Sequence, residues 1–451
     1  MAFNSPSGMG GFFPGLFGDL LKLLQTDAPF PFELAEQLAQ GVAADGALEA
    51  NPDPVERIRL EGLLGIATLH VGDVTGMPTT ASGRAITLTT TTRSAWALRL
   101  LANARPLFER LAAGLRPAAD PLVGPDGERI GRDLAETTDE EEEAAAFFAK
   151  WTGAIAPAMV AMQFGSLVGH LARRTLGQYG LPIPGASGDE IAIPTANLSA
   201  FAEDWSIPFD DLCLSVLVRD VATHAILSRP HVAARLVDLL AQHAEGLQPS
   251  PKALEERLGE AEGLDLSDVS ALMGVLGDPS AIGDLIDTPE FRRVRAELSA
   301  LGATISGYVE WVADEVGLHA IGTAGTIREA LRRSRTALAE EDRGGDVLFG
   351  ELTSLAGIDR GERFVRGVIE RGGADDLARL WTVEGNLPTP AEVDAPGLWL
   401  ERIHLPVLDG PGAGSAPFTH AAFDDEVTDL GVGGPEVDDG GPAADGTAEG
   451  S

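Results

Sequence analysis

Two pairs of side chains in this 451-residue sequence stand at spacings that can do chemistry. Asp220 and His224 lie four residues apart in an apolar run, Phe209 to Ser228, whose interior polar side chains are Ser215, Arg219, Asp220, Thr223 and His224. On a helix that spacing places both on one face. An imidazole and a carboxylate so placed can hold one metal ion, because successive turns present both ligand atoms to the same point. The alternative is an internal Asp–His pair that satisfies two buried polar groups. Glu310 and Asp314 repeat the spacing in a second, mostly apolar run, Gly307-Tyr-Val-Glu310-Trp-Val-Ala-Asp314-Glu315. Glu-x-x-x-Asp is an arrangement in which the glutamate supplies a third zinc ligand while the aspartate hydrogen-bonds and orients a ligating histidine. Its alternative is an ordinary polar stripe, of which Glu315 with His319 is another instance. His231 lies seven residues beyond His224, but Pro230 breaks the helix between them, so His231 ranks below His224.

Other chemistries find no support. There is no Gly-x-x-x-x-Gly-Lys-Ser/Thr phosphate loop and no Gly-x-Gly-x-x-Gly between a strand and a helix. Gly165-Ser-Leu-Val-Gly169 has the wrong spacing for a nucleophile elbow and falls inside a helical pattern, where small residues let helices approach. Cys213 is the single cysteine, which excludes an intramolecular disulfide and cysteine-rich zinc knuckles, and points to a cytoplasmic protein.

The formal net charge of −36 sets up a field that repels phosphate backbones and anionic lipid, so neither nucleic acid nor membrane is an expected partner. Of the 33 basic residues, only Lys22, Lys150 and Lys252 are lysines. Acidic, lysine-poor surfaces of this kind resemble those of halophilic proteins, in which molar salt shortens the Debye length to about 3 Å and screens self-repulsion. The N-terminus lacks the basic start and apolar stretch of a signal peptide. The longest apolar stretch, Ala154 to Ala172, is interrupted by Pro157, Gln163, Gly165, Gly169 and His170, and reads as a buried helix.

The elements that must position the two pairs are helices. Helix-like spacing begins near Phe32 and recurs at Val55, Ile58, Leu60 and Leu63, with Pro54 in a first-turn position. Ile86 to Thr92 reads as a strand and Ser94 to Leu115 as one helix. Thr138 to Glu143 opens a long helix that Gly180 and Pro182 stop near Gln178, and Ile183 to Pro194 reads as a hairpin or extended loop. Helices follow over Asn197–Trp205, Pro208–Ser228, Pro230–His243, Lys252–Gly259 and Ser267–Leu276. Beyond these come Pro289–Gly317, Thr326–Ala339, Gly361–Gly372 and a last segment, Pro396–Ile403. Thr288-Pro289-Glu290 is a helix start with a capping Thr and Pro at the first helical position. After Leu408 the chain is rich in Gly, Pro, Ala, Asp and Glu without one Lys or Arg, the composition of a disordered tail.

A set of segments, taken in order, carries a family resemblance. They are Phe164-Gly-Ser-Leu-Val-Gly169, Leu181-Pro-Ile-Pro184, Ile193-Pro-Thr-Ala-Asn197-Leu-Ser-Ala-Phe201 and Ile207-Pro208. Gly307-Tyr-Val-Glu310, Thr326-Ile-Arg-Glu-Ala-Leu-Arg332-Arg333, Leu348-Phe-Gly-Glu-Leu352 and Asn386-Leu-Pro-Thr-Pro390 complete the set. The chain resembles the zincin-like metallopeptidase type 2 family, actinobacterial and archaeal proteins described as zinc-dependent metalloproteases or as associated with deazaflavin coenzyme biosynthesis. The resemblance implies a mainly α fold with minor β and a zincin-like helical domain over residues 31–408, between a flexible tail at 1–30 and an acidic disordered tail at 409–451. It implies zinc as cofactor, a peptide or small-molecule substrate and metal-assisted amide hydrolysis. The metal ligands would be His224 and Glu310, with Asp220 a further ligand or the substitute catalytic base and Asp314 the orienting residue.

One departure bears on activity. A zincin uses His-Glu-x-x-His on a helix, two imidazoles for the metal and the glutamate to take a proton from bound water. Counting back from His224, the first ligand position holds Asp220 and the catalytic position holds Val221, which cannot act as a base. The family's Arg-Glu-x-x-His-like helix is matched by Arg219-Asp220-Val-Ala-Thr-His224, one residue longer. The expected function is therefore a zinc-dependent, peptidase-like hydrolase or its inactive variant; the alternative is a non-catalytic helical binding or scaffold protein of the same fold.

Overall fold

The computed structural model describes residues 30–114, 158, 160–185, 188–247, 288–341 and 348–405. The expected tails, the start of the long helix after Thr138 and the helices at Lys252–Gly259 and Ser267–Leu276 lie outside these, apart from Phe30 at the edge of the N-terminal tail. In chain order the main elements are α1 (Phe32–Ala44), α2 (Pro54–Thr75), β1 (Thr87–Thr91), α3 (Arg93–Asn103), α4 (Arg105–Gly114) and α5 (helical residues 160–174). Then come β2 (Glu190–Pro194), α6 (Thr195–Asp204), α7 (Phe209–Leu227), α8 (Pro230–Gly246), α9 (Pro289–Ala320) and α10 (Ala324–Glu341). The short α11 (Gly350–Thr353) precedes α12 (Leu355–Gly372), and three more short helices end with Pro396–His404. The protein is mainly α with minor β, as its helical periodicity implies.

The hub is α7. Every residue from Leu212 to Leu227 except Arg219 is buried, so this helix has no solvent face and must be wrapped by others. It packs against α2 and α9, and α9 in turn against α8 and α12. Glycine governs the α9–α12 crossing: a Cβ on Gly361 would lie 1.8 Å from the Ala303 carbonyl oxygen, and one on Gly307 would lie 2.1 Å from the Gly361 carbonyl carbon. The backbones touch there, and no side chain fits between them. The same device joins α5 to α1, where a Cβ on Gly165 would stand 2.5 Å from the Ala35 carbonyl oxygen. Gly165 and Gly169 are thus packing residues.

Thr288 caps α9 by accepting from the Phe291 amide at 3.1 Å, with Pro289 following in the first turn. Asp211, at the start of α7, accepts from the Thr323 amide at 3.1 Å and from its hydroxyl at 2.7 Å, fixing the entry to α10.

Two expectations are corrected and a third is narrowed. Of the hairpin or extended loop read over 183–194, residues Glu190–Pro194 form β2, which pairs in parallel with β1, from Thr87 opposite Glu190 to Thr91 opposite Pro194. Parallel pairing joins segments distant in sequence, and local turn signals cannot reveal it. The helix expected over 94–115 is two, broken at Ala104, because Pro106 has no amide proton to continue the ladder and is tolerated only near a helix start. The long helix ends at residue 174 rather than Gln178. The buried Asn197 amide donates to the carbonyls of Ala172 (2.9 Å) and Thr175 (2.7 Å), closing off that terminus from across the fold.

Candidate functional site

The turn after α5 gathers the polar residues of α7. Asp220 accepts from the backbone amides of Gln178 at 2.7 Å and Tyr179 at 3.1 Å, one on each carboxylate oxygen. Gly177 is obligatory at this turn, since a Cβ there would lie 2.2 Å from Asp220 Oδ2. Burial raises the Asp220 carboxyl to about 7, against the opposing pull of the two amides.

One turn on, His224 Nδ1 lies 2.8 Å from the Tyr179 hydroxyl. Burial pushes the tyrosine's pKa up, so the hydroxyl keeps its proton, and with Asp189 Oδ1 facing Nε2 the histidine presents Nδ1 as the acceptor of a hydrogen bond from it. Burial also lowers the histidine's pKa, which favours the neutral ring, with Asp189 opposing. The ring proton then sits on Nε2, which faces Asp189 Oδ1 at 3.5 Å, too far for a good hydrogen bond. Among the described residues His224 Nε2 is buried without a hydrogen-bond partner.

Glu310 serves a different set of partners. Its carboxylate receives Arg219 Nη2 at 2.8 Å and Arg335 Nη1 at 3.0 Å, and Arg219 is held in turn by the Ser215 hydroxyl at 2.6 Å. Burial alone would raise the Glu310 carboxyl, but the charges and hydrogen bonds of Arg219 and Arg335 outweigh it and hold the group at about 2. Asp314 orients no histidine: it pairs with Arg328, which also bonds Glu362 at 2.8 Å.

The expected convergence of His224, Asp220 and Glu310 is therefore not what the fold builds: Asp220 and His224 share Tyr179, Glu310 sits apart on Arg219 and Arg335, and among the described residues no three His, Cys, Asp or Glu side chains are grouped to hold a metal ion. These residues do not fit a zinc centre. Asp220 has both oxygens on backbone amides, Glu310 is shared by two guanidiniums, and Val221 at the catalytic position is fully buried. His231 takes no part in any of these sets.

What the fold does assemble is a cavity of about 470 Å³ bounded by α5 and its turn, α7, α9, α10 and the α11–α12 segment. Asp220 and Glu310 line it and His224 does not. Arg174, Arg219 and Arg335 line it as well, together with apolar side chains such as Phe201, Val216 and Ile305. Of the arginines, only Arg219 is visible in the sequence as an oddity, a charge inside an apolar run. Arg335 lies in the arginine-rich α10 beside Arg328, Arg332 and Arg333, and only the fold shows that it is the one reaching Glu310.

A mainly helical body around one buried helix, carrying an aspartate and a histidine four residues apart, is the class these observations define. The chain belongs to the zincin-like metallopeptidase family, whose profile matches residues 31–400. A crystal structure of a protein from Chloroflexus aurantiacus, described as a candidate hydrolase with a novel fold, superposes with a TM-score of 0.52 at 20% identity. The match covers 83% of this chain and 98% of that one. At this identity the likeness concerns the fold. No curated protein matches the chain. Among the described residues no helix is long and apolar enough to cross a membrane.

Proposed function

We propose that this chain is a zincin-like family member without zinc-dependent peptidase activity, and that it uses the arginine-lined cavity to bind a small ligand. The observation that supports this most is the fate of Asp220. It stands where a zincin has its first ligating histidine, yet both of its oxygens accept backbone amides from the turn at Gln178 and Tyr179. The two amides fix the direction of the carboxylate toward the turn, and among the described residues no group of three His, Cys, Asp or Glu side chains meets it there. His224 Nε2 belongs to no such group of side chains either, and Val221 offers no base to activate water.

Elemental analysis of the full chain, purified without chelator at high salt, tests this. The expected result is well below one zinc per chain, unchanged in His224→Ala, together with no cleavage of a casein substrate. About one zinc per chain that is lost in His224→Ala would overturn the proposal and restore the metallohydrolase reading.

A further inference from the structure

We infer that the cavity between α7, α9 and α10 is a site for a small organic acid, an anionic head group on an apolar body, whose head is read by Arg335. The inference rests on the reading above that the cavity takes a ligand. Its first support is the local charge. The chain as a whole carries −36, yet three arginines and two carboxylates line this cavity, an excess of one positive charge. Concentrating guanidinium groups in a wall of low dielectric within a strongly acidic protein favours an anion there. The two carboxylates do not cancel the effect evenly, since Asp220 turns both oxygens to the Gln178 and Tyr179 amides and Glu310 is shared by two arginines.

The second support is the division of labour between those two arginines. Arg219 is nearly saturated, with Nη1 on Ser215, Nη2 on Glu310 and Nε facing Glu310, and its side chain is 13% exposed. Arg335 spends only Nη1, on Glu310, and has no other hydrogen bond among the described residues; its side chain is 37% exposed. A guanidinium has five donors in a planar fork that matches a carboxylate or phosphate. Arg335 is thus pinned at one corner by Glu310, with the rest of its fork available. Glu310 and Arg219 are positioning residues, and Arg335 would touch the ligand.

The third support is the remainder of the wall. Leu171, Phe201, Val216, Ile305 and Val309 line the cavity, so a fully hydrophilic anion would waste most of the surface, whereas an alkyl or aryl body fills it. Its volume of about 470 Å³ falls in the range of small-molecule pockets. Carboxylate and phosphate heads share this chemistry.

Calorimetric titration of the full chain with octanoate and with octyl phosphate, against octanol and octylamine, tests the inference. The expected result is saturable binding of at least one acid at one site per chain, no binding of octylamine, and at least tenfold weaker octanol binding. The tighter of the two acids identifies the head group. Arg335→Gln should weaken acid binding at least tenfold. Arg335→Lys, which keeps the charge beside Glu310 and protects the fold, should weaken it too by removing the fork. Equal binding of octanoate and octylamine, no acid binding, or unchanged affinity in both Arg335 variants would overturn the inference. Zinc analysis of the same samples separates the two readings. Zinc dependent on His224 with acid binding dependent on Arg335 sinks the zinc-free proposal alone, and absence of zinc with no head-group preference sinks this one alone.

Discussion

Glu310→Gln removes the negative charge that holds two arginines inside the protein, and its cost can be worked out in two ways. The Glu310 carboxyl lies at about 2 against an ordinary 4.5, and each tenfold gain in acidity is worth about 1.36 kcal/mol. The ionised group therefore contributes on the order of 3 kcal/mol to folding at neutral pH. Independently, removing one partner of a buried ion pair costs about 3–5 kcal/mol, because the remaining charge is left unpaired. Arg219 and Glu310 qualify, with side chains 13% and 6% exposed, whereas Arg335 at 37% can be rescued by water. The lower end, about 3 kcal/mol, is the expected loss. Because the folded pKa lies below the unfolded one, the contribution is complete above pH 4.5 and is lost as pH falls through 2. Urea unfolding followed by circular dichroism, wild type against Glu310→Gln, should show a gap of about 3 kcal/mol at pH 7 that narrows below pH 4.5. A gap under about 1 kcal/mol at pH 7, the value of a surface pair, would refute the reasoning, as would a gap independent of pH.

Asp220 predicts the opposite slope. Its folded pKa of about 7 lies above the ordinary 3.8, so the folded state holds the extra proton, and wild type should lose stability relative to Asp220→Asn as pH rises from 4 to 7 in urea titrations. Gly361→Ala, whose Cβ would lie 1.8 Å from the Ala303 carbonyl oxygen, should lower stability by about 2–3 kcal/mol or more in the same assay. Gly62→Ala, in α2 with nothing within 4 Å of its Cβ, should instead gain about 0.5–1 kcal/mol. Removing the Tyr179 hydroxyl with Phe should cost about 1 kcal/mol, and should cost nothing in a His224→Ala background, where the acceptor is already gone. The charge of −36 predicts a melting temperature that rises between 0.1 M and 2 M KCl; a flat profile would remove the halophilic reading.

The sequence made the helices legible because their signals are local. Thr288-Pro289, Pro230 and the apolar run through α7 each mark an element by chemistry within a few residues, and the structure places helices there. Glycine at 165 and 169 was legible as close packing, though not which helix approaches. What stayed hidden was decided at long range. The parallel partner of β1 lies about 100 residues away, and Asn197 ends a helix it does not belong to. At the candidate site the sequence marked the polar residues of α7 and α9 but not their partners. Glu310 could equally have faced a histidine or an arginine, and α10 supplied the arginine from 25 residues further along the chain.

The spacing of Asp220 and His224 shows how one pattern serves two ends. Four residues on a helix rise about 6 Å, which lets two side chains converge on a single ion or lets them grip two ends of something about that long. Tyr179 is that object: its backbone amide lies on Asp220 and its hydroxyl on His224, so the pair holds one residue by head and tail. The grip also explains the residue types. A carboxylate suits two backbone amides, and a neutral imidazole suits a hydroxyl donor, whereas the reverse arrangement would leave an amide without an acceptor of matching charge. Once the turn at Gly177 to Tyr179 is locked onto α7 in this way, its other face becomes one wall of the arginine-lined cavity. Asp220, expected to ligate a metal, therefore helps to shape the pocket through the turn that it holds.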